Sequence, residues 1–69
     1  MKKTVDTIFC NDNGLLVMGE LKTEDYCNYT IEASIMYRDK PFTNTLLTFA
    51  TDSRDKAILI FNRTFRDLI

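Results

Sequence analysis

Between Tyr29 and Tyr37 the chain alternates without a break. Tyr29, Ile31, Ala33, Ile35 and Tyr37 fall on one side, and Thr30, Glu32, Ser34 and Met36 on the other. A period of two is the mark of a strand with one buried face. From Thr51 onward the period changes. At 100° per residue, Ala57, Ile58, Phe61, Phe65, Leu68 and Ile69 fall within an arc of about 120°, the width of a core-facing helical stripe. A chain with both periods must lay a helix on a sheet.

The remaining elements follow from turn chemistry. Segment 4–10 is rich in β-branched and aromatic residues and reads as a first strand. Asn11-Asp12-Asn13-Gly14 follows it. Asn-Gly accepts the positive φ angles of a type I′ turn, whose twist matches paired antiparallel strands. Segment 15–22 returns as the second strand, with Gly19 inside it as the mark of a bulge or bend. Thr23 to Asn28 is polar and reads as a loop. Strand three is 29–37, Arg38-Asp39-Lys40-Pro41 a turn, and 42–50 a Thr-rich fourth strand. Asp52 is placed to cap a helix over 52–68, with Asp55 three residues on in a capping-box-like arrangement. Asp52 and Asp55 suit the positive end of the helix dipole, and Arg63 and Arg66 the negative end. The fold expected is α+β: a four-stranded antiparallel β-meander with one C-terminal helix packed on one face, as a single domain over 1–69.

This pattern leaves apolar surface over. Strand two sends Leu15, Val17 and Leu21 to one face and Leu16 and Met18 to the other. Strict alternation over strand four sends Phe42, Leu46 and Ala50 one way and Leu47 and Phe49 the other. Large side chains are therefore expected on both faces, where an antiparallel sheet with a wet face should alternate cleanly. On the helix, Leu59 lies nearly opposite the core stripe, and Ile60 lies off it. Contiguous apolar surface of this kind marks interfaces.

Chemistry is sparse. The 69 residues contain no histidine, the side chain that most often titrates near neutrality or ligates a metal. Ser34, Ser53, nine threonines and two cysteines have no such base to activate them. Cys10 and Cys27 do not form a C-x-x-C pair and read as small, partly buried hydrophobes. A disulfide between them would require the ends of strands one and three to meet. Glu24 and Asp25 are adjacent acids in a solvated loop, poorly placed for acid–base work. With Glu20 and Asp12 they fall short of a calcium-loop pattern. No cofactor and no metal are implied, and the chain is not expected to be an enzyme.

Charge narrows the partners. Nine basic and ten acidic residues give a net charge of −1, which favours neither nucleic acid nor an anionic membrane. The distribution is uneven: residues 1–37 hold three bases against six acids, and residues 38–69 hold six against four. Met1-Lys2-Lys3 resembles the start of a signal peptide, but Asp6 interrupts any apolar run. No stretch approaches the ~18 apolar residues of a membrane span. The chain reads as cytoplasmic, with reduced thiols, and the Asn28-Tyr29-Thr30 and Asn62-Arg63-Thr64 sequons as chance matches. Abundant Ile, Asn, Lys, Thr and Phe reflect AT-rich codons and fit a small bacterial or bacteriophage gene.

The function expected is therefore a non-enzymatic protein-binding module, an accessory factor that homodimerises or binds and inhibits a larger host protein. Its partner-binding residues would be Leu59, Ile60, Arg63 and Arg66 on the helix and the acidic pair Glu24 and Asp25. The alternative is a nucleic-acid-binding regulator that uses Arg54, Lys56, Arg63 and Arg66.

Overall fold

A computed structural model describes residues 2–12, 14–37 and 40–68 of the chain. Four strands, β1 (Lys3–Asp12), β2 (Leu15–Thr23), β3 (Asn28–Tyr37) and β4 (Lys40–Ala50), precede one helix, α1 (Arg54–Leu68). The strands form one sheet in the order β1-β2-β3-β4, each antiparallel to its neighbour. The ββββα meander expected from the two periodicities is the fold of this chain.

The first two turns are built by polar side chains. Asn11 Oδ1 accepts the amide of Gly14, whose φ of +84° is easy for glycine; Asn13 lies outside the described residues. Between β2 and β3, Asp25 Oδ1 accepts the amides of Cys27 (2.9 Å) and Asn28 (2.8 Å). The buried Thr23 hydroxyl donates to the Asn28 carbonyl at 2.6 Å and accepts the Tyr26 amide. These bonds hold Tyr26 in the left-handed region, at φ 58°. The third turn differs from the sequence expectation. Lys40 and Pro41 belong to β4, while Arg38 and Asp39 lie outside the described residues.

The core is a single layer of side chains between helix and sheet. Leu21, Tyr29 and Ile31 from the sheet and Ala57, Phe61 and Phe65 from the helix are buried, with Val5, Ile8, Cys10, Val17, Ala33, Phe49, Ile58 and Ile60 packed around them. Tyr29 stacks on Phe49 with centroids 5.6 Å apart, and Phe61 meets Phe65 edge to face at 5.1 Å. Both are favourable aromatic geometries. Ile60 thus contributes to the core rather than standing clear of it. The Leu68 side chain and Ile69, the last members of the expected stripe, lie outside the described residues.

Three local expectations are corrected. The cap of α1 is Ser53, not Asp52: the Ser53 hydroxyl accepts the Lys56 amide and its carbonyl accepts the Ala57 amide. The Ser53 amide in turn donates to Thr51 Oγ1, which fixes the entry to the helix. Gly19 marks no bulge, because the register runs through it without a shift on both sides. Its lack of a side chain instead admits the Phe65 ring, which a Cβ would overlap.

The third correction changes the faces of the sheet. A bulge between the pairs Ile31↔Leu47 and Glu32↔Thr45 leaves Leu46 as the extra residue of β4. An extra residue reverses the alternation beyond it. Phe42, opposite Ile35, therefore shares the helix-side face with Leu47 and Phe49. Thr43, Thr45 and Thr48 gather on the far face, opposite Ser34, Glu32 and Thr30. That face is mostly polar, with Lys22 and Glu32 paired at 3.1 Å. Among the described side chains, its large apolar members are Phe9, Leu16 and Met18, grouped at one end. Exposed apolar side chains therefore stand on both faces: Phe42, Leu47 and Leu15 on the helix side, and Phe9 and Leu16 on the far side.

Candidate functional site

Lengths explain where the surplus sits. The 11 residues of β4 extend roughly 36 Å at about 3.3 Å per residue. The 15 residues of α1 reach roughly 22 Å at about 1.5 Å per residue. The helix also lies mainly over β1 and β2. The β4 side of the helix-bearing face is therefore left without a cover. On that face Phe42 is 57% exposed and Leu47 40% exposed; the bulged Leu46 beside them is 39% exposed. Leu15, on the same face by strand alternation, is also exposed. Phe42, Leu47 and Leu15 are the exposed apolar residues of this shelf beside the helix.

The helix adds a second feature. Leu59 is 65% exposed, as its position opposite the core stripe predicts. Lys56, Leu59, Ile60, Arg63 and Thr64 line a shallow groove of about 390 Å³ along one flank of α1. Two aliphatic side chains flanked by two cations can take a partner with an apolar ridge and an adjacent acid. Arg54 and Arg66 are exposed outside this groove.

Of the residues singled out in the sequence, Leu59, Ile60 and Arg63 come together in that groove. Arg66 shares the helix but not the groove lining. Glu24 and Asp25 sit in the β2–β3 turn. Asp25 is occupied there: besides its two backbone amides it accepts the Asn28 side-chain amide at 2.9 Å. These Asn28 and Cys27 donors hold its carboxyl at about 2, well below the ordinary aspartate range. Lys22 on the far face is shifted up by its bond to Glu32, with Glu20 adding to the effect.

Cys10 and Cys27 are both free thiols, one partly buried against the core and one exposed in the β2–β3 turn. Among the described residues, no group of three or more metal-capable side chains is gathered. No described helix is long and apolar enough to cross a membrane. No family model, curated protein or solved structure matches the chain.

The shelf residues Phe42 and Leu47 were missing from the sequence-derived site. A trace of them was present. Threonines at 43, 45 and 48 change spacing from two to three across the Leu46-Leu47 doublet. That is the signature of an inserted residue in a strand whose polar face is otherwise regular.

Proposed function

We propose that this chain is a non-enzymatic protein-binding module of the cytoplasm that self-associates and docks on a larger host protein to modulate it. The observation that carries the reading is the apolar shelf of Phe42 and Leu47, on the helix-bearing face and left open by a helix that lies mainly over β1 and β2. Exposing such a patch costs solubility, and a partner that covers it recovers the free energy of burial. An accessory or inhibitory role in a bacterial or bacteriophage setting fits the small size and the composition.

Affinity capture from the native host tests the docking half of this reading. The wild-type chain should retain a stoichiometric partner, identified by mass spectrometry, that a folded Phe42→Asp plus Leu59→Asp variant does not retain. Equal recovery by the two would count against it. The nucleic-acid alternative rests on the four exposed helix cations. It would be favoured by sub-micromolar, salt-sensitive DNA or RNA affinity that is lost on Arg63→Glu plus Arg66→Glu, because phosphate contacts release counterions.

A further inference from the structure

We propose that the groove along α1 is a docking site for an acidic helix of a partner protein, one that carries an apolar side chain between two carboxylates seven residues apart. The inference deepens the binding-module reading and rests on it.

The spacing of the groove residues defines a second contact stripe on the helix. Lys56, Leu59, Ile60, Arg63 and Thr64 follow one another at i, i+3, i+4, i+7 and i+8. That is the repeat of a helix surface made for packing. The other side of α1 is already buried in the core through Ala57, Phe61 and Phe65. Seven residues make two turns, so Lys56 and Arg63 stand about 10 Å apart and within about 20° of one line along the helix. Leu59 and Ile60 lie between them, Leu59 exposed and Ile60 half-buried.

Charge selects the occupant. Among the described residues, no carboxylate lies within ion-pair distance of Lys56 or Arg63. A second copy of α1 fits this groove poorly. Laid antiparallel with Leu59 against Ile60, it sets Lys56 against Arg63 twice. Laid parallel and in register, it sets each cation beside its own copy. An acidic helix removes the conflict: its carboxylates meet two unpaired cations, and its apolar residue covers Leu59 and Ile60. Charges that flank an apolar seam fix partner and register between helices. A nucleic acid fits less well. Arg54 and Arg66 stand outside the groove, and a phosphate backbone gives Leu59 no apolar cover.

The probe is a synthetic alanine-based helix of about 20 residues, long enough to be helical alone, with a central leucine and glutamates three residues before and four after it. Its control has the same composition but glutamates five apart, which takes one of them off the shared face. In fluorescence anisotropy at low salt, the full chain should bind the probe roughly tenfold or more tightly than the control. Leu59→Asp should abolish that preference. Lys56→Glu plus Arg63→Glu should lose the probe and bind a version with lysines at the two glutamate positions. Circular dichroism checks that both variants fold. Equal binding of probe and control, or no binding of either, overturns the proposal, as does a charge-reversed variant that still prefers the acidic peptide. A DNA oligonucleotide that displaces the probe at sub-micromolar concentration assigns the groove to nucleic acid and also overturns it. If probe binding survives Leu59→Asp but is lost on Phe42→Asp, the docking surface is the shelf: the groove assignment is then wrong while the binding-module reading stands.

Discussion

The ring of Phe65 rests on the backbone of Gly19, in space that any Cβ at that position would occupy. Small residues at Gly19 and Ala33, paired across β2 and β3, form a trough in the sheet. The last turns of α1 settle into it. This contact sets how closely helix and sheet approach.

Gly19→Ala should destabilise the fold by about 1–3 kcal/mol, the usual cost of overfilling a packed core. Phe65→Ala removes a buried ring and should cost about 3–5 kcal/mol, a large share of a small domain's stability. In a Phe65→Leu background the added methyl of Gly19→Ala should cost less than it does alone. Urea unfolding of the four chains gives this coupling. Strictly additive losses would mean that the two residues do not share the space described.

The two sides of the helix should respond oppositely. Phe61 is fully buried and Leu59 is 65% exposed. Phe61→Ala should cost about 3–5 kcal/mol, whereas Leu59→Asp should change monomer stability by no more than about 0.5 kcal/mol. Comparable losses in thermal unfolding would contradict burial of a single helix face.

Capping offers a sharper contrast between neighbours. Ser53→Ala deletes the acceptor of the Lys56 amide and should cost about 1 kcal/mol. The exposed Asp52 makes no comparable cap, and Asp52→Ala should lose only the smaller dipole contribution of about 0.3–1 kcal/mol. The reverse order in chemical denaturation would restore Asp52 as the cap.

Much of this architecture was legible in the residues. The alternation from Tyr29 to Tyr37 fixed one strand and its buried face, and the spacing of Ala57, Phe61 and Phe65 fixed the helix and its phase. Two features escaped for physical reasons. Ser53 and Asp52 are both good caps, and only the backbone path from Thr51 selects one. The bulge at Leu46 depends on pairing with β3, a non-local choice that strict alternation along β4 could not express. That single residue moves Phe42 to the helix-side face and makes the far face largely polar. Of the expected partner-binding residues, Leu59, Ile60 and Arg63 form one groove. Asp25 serves its own turn, a role an Asx residue commonly takes.

Asp25 gives the fold a predictable acid response. Its carboxyl titrates at about 2 in the folded chain, below the ordinary aspartate value, because Asn28 and Cys27 donate to the charged form. A depressed folded value means that the contribution is present above the ordinary range near pH 4 and is lost as pH falls through about 2. Carboxyl titration by NMR should place the Asp25 midpoint near 2. A midpoint near 4 would show that the turn bonds are not formed in solution.

Self-association is the claim on which the functional account depends most. Light scattering after size exclusion, over a roughly hundredfold dilution, measures it directly. The account predicts a mass above the 8.1 kDa monomer at micromolar concentration, falling toward it on dilution, and a Phe42→Asp variant that remains at 8.1 kDa throughout. A wild-type chain at 8.1 kDa across the whole series would contradict it.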